Sequence, residues 1–455
     1  MKKTLEIVLC SIILILCLVI SIIFIKKSLK PTYEEKCRKL LEEVRGITGG
    51  FVRKHSNHTY RGKSMITDRK RINMKHFTDI ISYNDSTGIL EVEGNIKIKN
   101  AIKFLLTKNR NLAACPDLKE LTLGGIVSGV GGGNTSFRTG YFHNQVVELD
   151  FLLPRGEIIT LTPNDELFKA IPRSMGTLGY ITRMKLKTVP AKPYIRSDIY
   201  HFSDPRKYYQ KLQELSQSID IQFLDATVFS RNQLVIVTGT YVDSAPTLVN
   251  VANRDIYYEE IQKETVMYFK TYEFIYRFST DLYYTTLSLP KWLRSKGLRQ
   301  CIPKIMIEPI QHLIGKFLPV DIGKICQDVL IPVEHAHEFF EWYDKNIGLY
   351  PLYNVPARSP VSTALFWKDQ RAYVDFGIGY GVRPPNPEVE DDMCRDIEKK
   401  MLSVEGVKLP YTNTHMSIDE FWNHFGTEEY KIYKQIRKKY GSTQLPTIYE
   451  KIANR

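Results

Sequence analysis

Leu121 to Tyr141 reads LTLGGIVSGVGGGNTSFRTGY and holds seven glycines, Gly124, Gly125, Gly129, Gly131, Gly132, Gly133 and Gly140. Glycine loses more backbone freedom on folding than any other residue, so such density is tolerated where the chain must turn or press against a ligand. Amides freed of neighbouring side chains can donate to phosphate or to the polar edge of a ring system. Leu121, Leu123, Ile126 and Val130 are threaded between the glycines, which argues against a floppy linker. A second glycine signature, IPRSMGTLGYIT from Ile171 to Thr182, follows about fifty residues later, with Gly176 and Gly179 bracketing Thr177-Leu178. Two phosphate motifs are excluded. The first stretch has no lysine for a Walker loop, and the sixth place counted from Gly129 is Asn134, where a dinucleotide fingerprint needs glycine.

The elements around these segments read as α+β. GILEVEG (88–94) alternates as a strand, IKIKNAIKFLLTKN (96–109) has helical apolar spacing, and VVELDFLLPRGEIITLTP (146–163) is two strands around a Pro-Arg-Gly turn. A short helix at 165–171 and a strand at 181–189 complete this part. Pro190-Ala191-Lys192-Pro193 marks a boundary. Beyond it come a helix at 204–219, a hairpin turning at Arg231-Asn232, strands at 327–332 and 373–379, and helices at 334–346, 388–404, 417–425 and 428–440.

The chain has 455 residues, 43% hydrophobic and 25% charged, which is ordinary for a globular protein and excludes a disordered or polytopic membrane chain. Its net charge of +13 favours contact with something anionic. Nucleic acid is the poorest candidate, because basic residues do not interleave with aromatic ones in a recognised domain. IVLCSIILILCLVISIIFI (7–25) is uncharged and reaches about 28 Å as a helix, which predicts one uncleaved transmembrane span. Lysines flank both of its ends, and the positive-inside bias places the large body in the cytosol. The seven cysteines lack CxxC or zinc-ligand spacing, so they read as reduced thiols and no metal site is expected. The division expected is an anchor at 1–30, a charged helical linker at 31–50, a first domain at 51–192 and a second at 193–455.

The two glycine segments with the ELDFLLPRGE hairpin between them resemble the para-cresol methylhydroxylase and vanillyl-alcohol oxidase type of two-part FAD-binding domain. More narrowly, TLGGIVSGVGGGNTSFRTGY through PRSMGTLGYITRMKLKTVPAKPYI is similar to the delta-24-sterol reductase branch of those flavoproteins. QDVLIPVEHAHEFFEWY, GLYPLYNVP, YVDFGIGYG and IDEFWNHFG resemble the C-terminal half of the same branch, so the likeness covers about 51–455. It implies an FAD-binding domain followed by an α+β substrate domain. It also implies FAD contacts through Thr122, Gly124, Gly125, Gly129, Gly131, Gly132, Gly133 and Asn134, then Gly176, Thr177, Gly179 and Ile181. Ile181 has a second reading as a core strand residue.

The implied activity is reduction of a carbon–carbon double bond in a sterol side chain, with NADPH as electron donor and the body held at the endoplasmic reticulum or another intracellular membrane. The implied partner is a lipid or sterol-like molecule; the oligomeric state is not implied. Two departures from the branch stand out. The early stretch Arg53 to Thr59 has no glycine before Gly62, leaving Ser56, Asn57, Thr59, Arg53, Lys54 and Arg61 to hold phosphate or to face an anionic membrane. The substrate half reads Tyr276 to Tyr284 with the single Arg277, where the branch carries a richer basic patch. No catalytic residue is assigned. Tyr283, Tyr284, Tyr373 and Tyr380 could donate a proton, and Asp375 reads as a structural hydrogen-bond partner. Rival readings are a flavin oxidase or dehydrogenase of a hydroxylated small molecule, and a membrane-bound binding protein that has lost flavin.

Overall fold

The structure is a computed structural model, and it describes residues 30–45, 53–54, 71–249, 256–278, 284, 325–358, 364–367, 371–379, 386–410 and 412–453. The expected membrane span and most of the basic stretch 53–75 lie outside the described residues. Among those described, no helix is long and apolar enough to cross a membrane.

The first sheet gathers the strands read at 88–94, 146–163 and 181–189 and adds two that the sequence did not announce, Ile80–Asn84 and Arg110–Leu112. A short parallel pair, β1 (Arg53–Lys54) and β2 (Arg71–Ile72), stands apart from it. β3 (Ile80–Asn84), β4 (Ile89–Glu93), β5 (Arg110–Leu112), β6 (Val146–Leu153), β7 (Glu157–Leu161) and β8 (Tyr180–Pro190) pair antiparallel in the order β3-β4-β8-β6-β7, with β5 alongside β8. Helix α1 (Tyr33–Arg45), expected as a connector ahead of the folded body, is docked on this sheet. Its Leu40 and Val44 pack with Ile72, Met74, Phe77 and Leu152. One turn earlier on the same face, Lys36 Nζ bonds Glu93 at 2.8 Å and Asp79 at 2.7 Å, and the Tyr33 hydroxyl bonds Asp150 and Thr182, each at 2.8 Å. The charged composition hid this. An ion pair, not an apolar stripe, completes the buried face.

The remaining helices of this half are α2 (Ile98–Leu106), α3 (Leu123–Gly129), α4 (Ser136–Thr139) and α5 (Glu166–Ala170). Both α3 and α4 fall within the stretch expected to be a glycine loop.

After Pro190 the chain crosses to a second sheet. β9 (Tyr194–Phe202), β10 (Phe223–Ser230), β11 (Gln233–Val242), β12 (Val266–Lys270), β13 (Gln327–Pro332), β14 (Leu352–Arg358), β15 (Ala372–Ile378) and β16 (Val407–Lys408) are antiparallel throughout, in the order β12-β9-β11-β10-β14-β15-β13-β16. Helices α6 (Pro205–Ser216), α7 (Ala336–Asn346) and α8 (Glu390–Ser403) pack with this sheet. On one face, Phe376 of β15 meets Phe339 and Tyr209, and Asn354 of β14 accepts from the Tyr208 and Tyr209 hydroxyls. Tyr353, Val355, Ala357, Tyr373 and Asp375 alternate onto the opposite face. Helices α9 (Ile418–Phe425) and α10 (Thr427–Lys439) return to the first half, where Tyr433 bonds Thr177 at 2.6 Å.

Glu93 is 1% exposed and Lys36 is its cation, so removing the ammonium strands a buried carboxylate. Lys36→Met is expected to lower stability by about 3 kcal/mol, the usual loss on breaking a buried pair from one side, read as a shift in the urea midpoint of the full chain. An unchanged midpoint would show that the helix is not held by this contact.

Candidate functional site

The two glycine segments are brought together by backbone contact that leaves no room for a Cβ. Gly124 N–H donates to Gly94 O at 2.7 Å, and Gly94 N–H donates to Thr182 O at 2.8 Å. A Cβ on Gly94 would lie 2.0 Å from Ile181 O, and one on Gly124 would lie 2.8 Å from Gly94 O. Further along, Met175 N–H donates to Ser128 O at 3.0 Å, tying the end of α3 to the second segment. The expected site residues therefore converge, but most of their missing side chains make room for protein. A Cβ at Gly131 would meet Ile126, one at Gly132 would meet Tyr141, one at Gly133 would meet Cys115 O at 2.2 Å, and one at Gly179 would meet Leu152 O at 2.3 Å. Gly129 differs: it is buried, yet a Cβ there would meet only Met175 Sδ at 3.9 Å. Gly125 is exposed and Thr122 half-buried at the start of α3. Gly176 sits at φ +73°, a turn that suits glycine alone.

The other members of the set have structural partners. Thr177 donates to Ser174 O or shares its proton with Tyr433, and Ile181 is buried in the main core. Asn134 O accepts from Leu224 N–H at 2.7 Å, which fastens the first segment to β10. Its amide faces Asp225. Burial pushes the Asp225 carboxyl up, against the pull of Arg277 and that amide. Arg277 itself is fully buried, paired with Asp225 and stacked over Phe274 at 4.0 Å. A second tie is Tyr353 of β14, whose hydroxyl donates to Asp117 at 3.0 Å.

Where α3 ends, three non-glycine residues hold left-handed backbone: Val130 at φ 58°, Arg173 at φ 68° and Met175 at φ 53°. For a β-branched residue such as Val130 this is a true outlier, and such strain gathers at ligand clamps. Around it lie polar atoms that sequence reasoning missed. Tyr141 Oη, both ring nitrogens of His143, Arg173 Nε and Ser174 Oγ are buried and have no hydrogen-bond partner among the described residues. Each such group costs about 1–3 kcal/mol if left so, and several at one place call for a polar ligand.

Arg173 is 2% exposed and bonds only carbonyl oxygens, those of Phe366 and Lys408, while its guanidinium stacks on Phe425 at 4.5 Å. Burial lowers its pKa to about 10, so it keeps its charge at neutral pH with no carboxylate bonded to it among the described residues. Burial and that charge together hold His143 down at about 4.

Val130 and Tyr141 pack directly on the second sheet, in one apolar cluster with Leu330, Ala357, Ala364, Trp367, Tyr373 and Leu409. The Tyr141 and Trp367 rings are 4.7 Å apart. A cavity of about 250 Å³ reaches the same wall at Ala357 and Tyr373, with Phe137 of α4 and Arg358 at its sides. The site is thus a junction: strained glycine-rich backbone and unbalanced positive charge on one side, an apolar sheet face on the other. Of the tyrosines expected as proton donors, Tyr284 is buried with its hydroxyl 2.7 Å from Thr227 Oγ1, and Tyr373 lines the junction. Tyr283 and Tyr380 lie outside the described residues.

Two measurements check this geometry. His143 is neutral when folded, and its folded pKa of about 4 lies below the ordinary 6.5. The unfolded chain therefore takes up a proton first as pH falls. Stability is full above about pH 6.5 and is lost toward pH 4, by about 3 kcal/mol at 1.36 kcal/mol per unit. Urea midpoints should show this slope, and His143→Phe should flatten it. Gly129→Ala should leave the midpoint unchanged or raise it, since alanine favours a helix by about 1 kcal/mol, while weakening the uptake of FAD. Equal FAD uptake would show that the space beside Gly129 is no cradle.

Residues 29–162 match the FAD binding domain family. The unpartnered polar atoms, the unbalanced Arg173 charge and the open space beside Gly129 fit such a nucleotide. Delta(24)-sterol reductase of Homo sapiens is 24% identical over 413 residues, covering 83% of this chain and 77% of its own length. That of Arabidopsis thaliana is 24% identical over 423 residues, covering 81% and 74%. Cytokinin dehydrogenase 2 of Arabidopsis thaliana is 26% identical over 183 residues, covering 39% of this chain and 36% of its own. The first part of the chain thus matches an FAD binding domain, and the likeness to the delta(24)-sterol reductases runs on into the second sheet.

Proposed function

We propose that this chain is an FAD-dependent oxidoreductase that reduces a carbon–carbon double bond in the side chain of a sterol-like lipid, with NADPH as electron donor. The observation that carries the reading is the extent of the sterol-reductase likeness, 83% of the chain, which reaches well past the cofactor domain. Cytokinin dehydrogenase 2 matches over 39% and so speaks for the cofactor alone.

Bound FAD supplies two-electron chemistry to an alkene carbon. The backbone between Thr122 and Asn134, open at Gly129, and the turn at Gly176 would hold the nucleotide. Arg173, with no carboxylate partner, offers positive charge to whatever anionic edge lies beside it. Ser174 and Tyr141 offer unspent hydroxyls. Leu330, Ala357, Trp367, Tyr373 and Leu409 present an apolar wall that excludes water and accepts a hydrocarbon chain. The 7–25 span would keep the body at the bilayer, where so insoluble a substrate is collected.

The test is anaerobic spectroscopy on the full chain in detergent. The protein should carry releasable FAD, bleach when mixed with NADPH, and regain its yellow absorbance when a sterol with an unsaturated side chain is added. Bleaching by a hydroxylated small molecule, with oxygen consumed on re-aeration, would instead support an oxidase. Colourless protein that takes up no FAD would contradict both.

A further inference from the structure

We infer that Asp375, on the inner face of the second sheet, is the catalytic acid that protonates the alkene, an inference that rests on the reductase reading above. Saturating an alkene needs a hydride at one carbon and a proton at the other, and the proton donor must lie within hydrogen-bond reach of the reacting carbon. Asp375 is placed for this by register. In β15 it is paired with Val355 of β14 and Leu330 of β13, and it shares their face with Tyr373, which lines the junction. The Asp375 and Arg173 charges both act on the Tyr141 hydroxyl, so the carboxyl lies near the glycine-rich side.

The sequence suggested that Asp375 would be consumed by a structural hydrogen bond. It is not. Its Oδ1 is buried and has no partner among the described residues, and the side chain as a whole is half-buried. Burial, reinforced by Asp328 diagonally across on β13, holds the carboxyl well above the usual carboxylate range, with Lys408 pulling weakly the other way. It therefore holds its proton to a higher pH than an ordinary carboxyl does.

The other described polar groups at the junction are poorer acids. His143 has already lost its proton, Arg173 does not release one near neutrality, and burial followed by the Asp375 charge pushes the Tyr141 phenol far up. In the step, the Asp375 O–H bond breaks and the alkene π pair forms a C–H bond with that proton. Bound reduced FAD would supply the hydride to the neighbouring carbon, and the carboxylate left behind takes a proton from water.

The experiment compares full-length wild type with Asp375→Asn and Asp375→Glu in detergent, each loaded with FAD and reduced anaerobically by NADPH. Asp375→Asn should be reduced at the wild-type rate and show the same FAD content and spectrum. Its re-oxidation by an unsaturated sterol should be at least about 100-fold slower, and Asp375→Glu should recover part of that loss. The wild-type re-oxidation rate should fall above a single ionisation higher than an ordinary carboxylate's, and this limb should move in Asp375→Glu. The groups on the carboxyl's own face are Asp328 and Tyr373, the Tyr141 hydroxyl lies within reach of its charge, and Lys408 acts on it from the other face of the sheet. An infrared difference spectrum of oxidised wild type against Asp375→Asn at pH 7 should contain a protonated carboxyl band.

Re-oxidation of Asp375→Asn at the wild-type rate, or no such band, overturns the acid assignment and leaves the reductase reading standing. A wild type that binds FAD and is re-oxidised by no unsaturated sterol overturns the reductase reading, and the acid with it. If Asp375→Asn fails to fold, the wild-type pH limb and the Asp375→Glu shift decide alone, and a limb that does not move overturns the assignment.

Discussion

Everything at the junction depends on three stretches of backbone that touch without side chains between them. Gly94, just past the end of β4, Gly124 of α3 and Ile181 of β8 have their amides and carbonyls in direct contact. Because a Cβ at Gly94 would lie 2.0 Å from a carbonyl oxygen, the approach cannot be relaxed by rotating anything. It fixes where α3 starts, and the Met175 to Ser128 bond then fixes where α3 ends against the second segment. Val130 is forced into left-handed backbone at that point and delivered, with Tyr141, onto the face of the second sheet.

A second feature follows from closing two halves over so polar a seam. Protein interiors pair most of their polar atoms, and both sheets hold such buried pairs: Lys36 with Glu93, Arg277 with Asp225, Asn354 with two tyrosines. At the seam several polar atoms are open together. A buried guanidinium bonds only carbonyls, an imidazole has nothing to bond at either nitrogen, and a carboxyl one strand away keeps a bare oxygen. Several open polar atoms gathered in one seam suit a polar ligand there, and the first part of the chain matches an FAD binding domain.

Much of this was legible in the sequence. The alternation in GILEVEG and VVELDFLL and the 3.6 spacing in 96–109 correspond to β4, β6 and α2. What escaped has physical causes. Strand β14 contains Pro356, which argues against a central strand, and β9 buries Ser197, which breaks its apolar alternation. Helix α3 formed where glycines signalled a loop, because two of them are needed for packing and the helix still buries Leu123, Ile126 and Val127. Helix α1 looked like a solvated connector because a lysine occupies its buried face. The glycines themselves were found, but most serve the protein's own packing, and the residues that confront the junction were not found. Nothing in the letters marks Arg173, Ser174, Tyr141 or His143 as buried and unpartnered; only the meeting of distant segments does that.

The most direct measurement is a density map of the full chain saturated with FAD. The account predicts the isoalloxazine ring in the seam between α3 and the second sheet, with its polar edge bonded to Arg173 or Ser174 and one face toward the wall of Trp367 and Tyr373. A ring bound elsewhere, with those atoms still unbonded, would contradict it.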